Sequence, residues 1–123
     1  MAKIDRKPVI CFDFKTKNRI RVHKVTMHLL GDPDFIQILV NPISQTIAIR
    51  RGNSNDPLSI RLKKNMTNKD CYEFFSKELM SSFKLVFDKL KNGNTYRIYG
   101  EMDSKNEVAQ FKISDLKIYE EIQ

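Results

Sequence analysis

The chain has 123 residues, is 41% hydrophobic and 30% charged, and carries a net charge of +7. A domain of this size hides about two-thirds of its unfolded surface, enough for a core without disulfide or metal staples. Four glycines and four prolines exclude a collagen-like or low-complexity chain, and no apolar run approaches the about 20 residues of a membrane span.

Residues 1–8 are polar and charged and read as a loose arm. The opening Met-Ala-Lys-Ile-Asp-Arg-Lys-Pro has no apolar stretch behind its charges, so no secretory signal is expected and the cytosol is the expected location. Residues 9–22 read as one strand. Within it Lys15, Lys17, Arg19 and Arg21 recur at a period of two, with Phe12, Phe14, Ile20 and Val22 around them. Residues i, i+2 and i+4 of a strand share a face, so four cations would line one face and the apolar residues would enter the core. Thr16 and Asn18 mark a polar gap or bulge. Successive charges would lie about 7 Å apart, close to the spacing of phosphates along a nucleic-acid strand. Asp13 falls on the same face as Lys15, where an ion pair is the simple expectation.

Residues 23–30 read as a short helix with Gly31 beyond its end. Residues 35–40 and 46–51 form a strand–turn–strand hairpin across Asn41–Gln45. Residues 52–57 are a loop, and Leu58–Lys63 alternates as a strand. A long helix is expected over 70–91, with Tyr72, Phe75, Leu79, Phe83, Val86 and Leu90 at helical spacing. Asp70 with Glu73 fits a capping box, and Ser76 fits the start of a shorter helix. Phe74, Met80 and Phe87 widen its apolar face, which suits either a dimer interface or a helix packed centrally between hairpins. Asn92-Gly93 ends it. Thr95–Gly100 and Glu107–Ile113 read as a second hairpin across Glu101–Asn106. Tyr96 and Tyr99 point to opposite faces, so at most one is a surface aromatic. Residues 115–122 close the chain as a strand or a turn of helix.

The expected class is α+β: a single domain, mostly antiparallel sheet, with one short and one long helix. The order strand, helix, hairpin occurs in 9–51 and again in 58–118, so a degenerate β-α-β-β repeat is expected. His23-Lys24-x-x-Met27 is echoed by Ser76-Lys77-x-x-Met80, and Ile47-Ala48 by Val108-Ala109.

The charge is uneven. Residues 1–64 hold 13 Lys/Arg against 5 Asp/Glu, and residues 65–123 hold 9 against 10. A basic half points to an anionic partner, most often nucleic acid. The cysteines Cys11 and Cys71 form no C-x-x-C, and His23 and His28 are five apart, the wrong spacing for a shared helical metal face. No metal or cofactor is expected. No Gly-rich phosphate loop, G-x-S-x-G elbow or H-E-x-x-H occurs. Asp32, Asp34 and Asp56 sit in turn contexts. The chain is not expected to be an enzyme.

Residues 18–51 resemble the swapped-hairpin transition-state regulators (AbrB-like). The resemblance rests on Asn18-Arg19-Ile20-Arg21-Val22, on Lys24 through Leu29-Leu30-Gly31, and on Phe35–Val40 with Ile47–Ile49. The division-regulator branch (MraZ-like) places two such units in one chain. The pattern departs at Asn18, where the family has Gly, and at His23, where it has Pro. The resemblance implies an oligomeric DNA-binding domain with Lys17, Arg19, Arg21 and Lys24 as contacts.

The expected function is therefore non-enzymatic nucleic-acid binding, DNA rather than RNA, by a regulator that holds phosphates through its basic strand. The candidate residues are Lys15, Lys17, Arg19, Arg21, Lys24, Arg50, Arg51, Arg61 and Lys63. The alternative is a small interaction module, of the phage or mobile-element kind, that binds an acidic host protein through the same face. A homodimer is compatible with either, and no membrane partner is expected.

Overall fold

The computed structural model describes residues 6–16 and 18–119. The chain is α+β. In order, its elements are β1 (Val9–Asp13), β2 (Arg19–His23), α1 (Lys24–Leu29), β3 (Phe35–Asn41), β4 (Thr46–Arg51), β5 (Ile60–Arg61), β6 (Thr67–Asn68), β7 (Cys71–Phe75), α2 (Lys77–Val86), β8 (Thr95–Tyr99), β9 (Glu101–Asp103), β10 (Val108–Lys112) and β11 (Lys117–Ile118). Six strands form one sheet in the order β11-β8-β1-β2-β7-β6, and five form a second, β5-β3-β4-β10-β9. Every pairing is antiparallel. Among the described residues no helix is long and apolar enough to cross a membrane.

The inner faces of both sheets supply one core. Ile10, Phe12, Ile20 and Val22 come from the first sheet, Ile36, Ile47, Ile49 and Phe111 from the second, and Met27, Met80 and Phe83 from the helices. Alternation explains β2 and β4, whose buried residues are two positions apart, whereas β1, inside the six-stranded sheet, is buried along its whole length. Phe12 and Phe14 are core, as their spacing predicts. Thr26 of α1 is also buried; its hydroxyl accepts from the Val9 N–H (2.8 Å) and donates to the Val9 carbonyl (3.1 Å), tying α1 to the start of β1. Gly31 ends α1 at φ +83°, a left-handed conformation that glycine adopts without strain. Residues 1–5 of the expected arm lie outside the described residues, whereas Pro8 is buried and its carbonyl accepts from the Gly100 N–H.

Three expectations are corrected. First, residues 9–22 are not one strand. The chain reverses after Asp13, and β1 pairs with β2 so that Asp13 faces Arg19. The Asp13 carboxylate accepts from the Lys15 and Thr16 backbone N–H groups, an Asx turn, and Asn18 takes φ +47°. Second, the helix expected over 70–91 is divided. Cys71–Phe75 is strand β7, Ser76 is the N-cap whose hydroxyl accepts from the Leu79 N–H at 3.1 Å, and α2 ends at Val86. Phe74, Met80 and Phe87 are buried inside the chain's own core, not on an interface, while Phe75 is 64% exposed. Third, β8 does not form a hairpin with β10. The hairpin is β9–β10, and β8 crosses to the other sheet between β1 and β11.

The crossing turns on Gly100. A Cβ there would overlap the Gln110 carbonyl oxygen and the Phe111 ring. Gly100→Ala should therefore destabilise by about 2 kcal/mol through overpacking, read as a lower urea midpoint with an unchanged slope.

The two halves of the chain meet strand to strand. β2 and β7, which lead into the two helices, pair with each other, and so do β4 and β10. His23 and Ser76 stand at the two helix N-caps, and Met27 and Met80 are both buried.

Candidate nucleic-acid interface

The outer face of the six-stranded sheet carries the polar half of each strand. Its register sets Lys117, Arg97, Cys11, Arg21 and Glu73 side by side across β11, β8, β1, β2 and β7. Strands lie about 4.8 Å apart, so three cations span about 14 Å across the sheet rather than along one strand. A polar groove of about 370 Å³ opens on this face, lined by the cations Arg19, Arg21, Lys69 and Arg97, the acids Asp70 and Glu73, and His23, Asn68, Cys71 and Tyr119.

Arg97 is the centre of the groove. Its guanidinium lies 4.0 Å from the centroid of the Tyr119 ring, a cation–π geometry, and donates to the Tyr99 hydroxyl. Its Nε is buried with no hydrogen-bond partner. Burial works against its charge, but the contacts with Cys11 and Tyr99 outweigh this and keep it cationic. His23 is held below its ordinary range by burial first and then by Arg97 and Arg21, against the opposing pull of Asp70. Its Nε2 lies 3.7 Å from the Cys11 sulfur. Burial pushes the Cys71 thiol up, so it is protonated at neutral pH.

Arg19 has a different role. It donates to Asp13 Oδ2 at 3.2 Å and to Glu73 Oε2 at 2.8 Å, and all three side chains are nearly buried. Burial works to raise both carboxyls. For Asp13 it is outweighed by the Lys15 and Thr16 amides, Arg19 and Thr95; for Glu73, by Asn68, Arg19 and Arg21. Both acids are held below the usual carboxylate range. Arg19 is a structural cation that ties three strands together.

The expected cations are thus dispersed. Lys15 is exposed on the β1–β2 turn, and Lys17 lies outside the described residues. Arg21 lines the groove. Lys24 begins α1, its N–H donating to the Asp70 carbonyl. Arg50 and Arg61 lie on the five-stranded sheet, Arg50 with its Nε donating to Gln37. Arg51 ends β4 beside Gly31, and Lys63 is exposed before a 3₁₀ turn. These last four do not extend the Arg21 face. Arg97 and Tyr119, which line the groove, and Lys117, beside Arg97 in the row, are the residues of this face that sequence reasoning missed. Alternation carries a signal for the first, since the buried Tyr96 and Ile98 turn Arg97 and Tyr99 to the opposite face.

No group of three or more His, Cys, Asp or Glu that could hold a metal occurs among the described residues. Comparison with protein-family models, with curated proteins and with solved structures found no match.

Proposed function

We propose that the protein is a non-enzymatic nucleic-acid-binding protein, with DNA the expected ligand, that holds phosphates on the outer face of its six-stranded sheet. The observation that carries the reading is the row Lys117–Arg97–Arg21 across one face, with the Arg97 Nε buried and unmet. Arginine forks suit phosphate oxygens, and Tyr99, 43% exposed beside Arg97, offers a ring on which a base can stack. The resemblance of residues 18–51 to AbrB-like regulators supports the same reading, with Arg21 the contact common to both. Cations without a base-reading helix position a nucleic acid more than they select its sequence.

The test is fluorescence anisotropy with random duplex DNA and with single-stranded RNA, over a salt series. Duplex DNA should bind more tightly, and affinity should fall steeply with salt. The Arg21→Ser, Arg97→Ser double variant should bind at least about tenfold more weakly, with a salt slope shallower by about two. Arg61→Ser, on the other sheet, should bind as the parent does. No binding at low salt would overturn the proposal and turn attention to an acidic protein as the ligand of this face.

A further inference from the structure

His23 stands on the same face of β2 as Arg21, two positions further along the strand. Register brings Arg97 in from the other side: Cys11 pairs with Arg21 on one flank and with Arg97 on the other. The short Cys11 side chain therefore lies between two arginines, each one strand away, about 4.8 Å. The His23 ring leans to the same point, with its Nε2 3.7 Å from the Cys11 sulfur. His23, Arg21 and Arg97 all line the groove. One phosphate seated over Cys11 would have an imidazole and two guanidinium groups within reach.

The surroundings of the ring decide its charge. Cys11 comes from β1, Cys71 lies opposite on β7, and Lys69 and Asp70 come from the turn before β7. Arg97 comes from β8 with the Tyr119 ring against it, Arg21 belongs to β2 itself, Glu73 lies further along β7, and Lys24 follows His23 at the start of α1. The groove's cations Arg19, Arg21, Lys69 and Arg97 outnumber its acids Asp70 and Glu73, and Glu73 is engaged by Arg19. In the ligand-free protein burial and the two arginines keep the ring mostly neutral at neutral pH, and Asp70 does not offset them. A neutral imidazole has one N–H and a protonated one has two. An anion in the groove cancels the repulsion from Arg97 and Arg21 and so favours the protonated ring.

We propose that His23 is a phosphate contact of this groove that engages by taking up a proton, so that the protein binds phosphate more tightly as pH falls. This rests on the reading that the face holds phosphates. The sign follows from linkage: the complex holds more protons than the separate partners, so acidification favours it. The gain begins where the bound ring titrates and levels off where the free ring is protonated as well. The second histidine, His28, pairs with Asp32 at 2.6 Å and does not line the groove. Burial keeps the Cys71 thiol protonated across this range. The phosphodiesters of DNA keep one charge each throughout it, so the pH dependence belongs to the protein.

The test is fluorescence anisotropy with duplex DNA at one fixed salt concentration, from about pH 8 down to about pH 5.5. Affinity should rise at least about fivefold over that range. His23→Asn cannot take up the proton; it should bind as the parent does at the alkaline end and gain less than about twofold on acidification. The His23 side chain makes no hydrogen bond to the N-terminus of α1, so the substitution spares that cap. His28→Asn should respond to pH as the parent does. Imidazole NMR shifts of the parent give the His23 pKa directly, and it should rise on adding DNA, a readout that holds even if the variant fails to fold. DNA binding of equal affinity at both ends of the range would overturn the inference and leave the phosphate reading standing. So would an equal gain in His23→Asn, or a His23 pKa that DNA leaves unchanged or lowers. Absence of DNA binding at every pH would overturn the phosphate reading and this inference with it.

Discussion

Phe83→Ala should lower the free energy of unfolding by about 3–5 kcal/mol. Phe83 is fully buried, and its ring meets Phe12 edge-on with centroids 5.0 Å apart. Phe12 belongs to the central strand pairing of the six-stranded sheet, so the contact joins α2 to that sheet. Deleting the ring removes its burial and leaves a void between elements that both sheets hold in place, which limits collapse into the space. Urea unfolding should show a lower midpoint with the slope preserved. Leu85→Ala, on the exposed side of the same helix, should change stability by less than about 0.5 kcal/mol.

Asp13→Ala should cost about 3 kcal/mol or more, because it leaves a nearly buried arginine with one of its two carboxylates. It also strands the Lys15 amide and opens the turn that joins β1 to β2. Asp13→Asn keeps the shape and loses the charge, so it separates turn from ion pair. The same acids set the response to pH. Asp13 and Glu73 titrate below their unfolded values, so their contribution is complete above an unfolded carboxyl pKa of about 4. It is lost as pH falls through their lower folded values, where the unfolded chain has already taken up the protons. His23 acts in the same direction at higher pH. Its folded value lies below the unfolded one, so acidification through about pH 6.5 begins to favour the unfolded state. The melting temperature should thus decline slightly first and steeply below about pH 4, and Asp13→Asn should flatten the steep limb.

The turn at residues 14–18 shows why part of the fold was legible in the sequence and part was not. Lys15, Thr16, Lys17 and Asn18 contain no glycine or proline, and the period-two cations read as one continuous strand. The decisive interaction is Asp13 with Arg19 across the hairpin, which spacing along one strand does not reveal. Residues 70–91 show the same difficulty. Tyr72, Phe75 and Leu79 fit a helical stripe, yet pairing with β2 draws 71–75 into a strand and Ser76 caps what remains. Elements that depend on their neighbours in sequence were readable: α1 with Gly31, and the 35–51 hairpin with its Asn-Pro turn. The groove was not, because Arg21, Arg97 and Tyr119 come together only through the order of strands. The charge of Arg19 is legible in the sequence, whereas its pairing with Asp13 and Glu73 is not.

The cross-pairing of the halves bears on how the molecule is made. Arg19 waits for Phe75, and Thr46 waits for Lys112. During synthesis the first half emerges with β2 and β4 both lacking a neighbour, and the second of these stays open until β10 has been added. Non-local pairing of this kind slows folding and prolongs the exposure of strand edges. A ribosome that stalls within 52–100 would release a chain able to build hairpins but unable to complete either sheet, a substrate for chaperones and proteases rather than a smaller version of the protein.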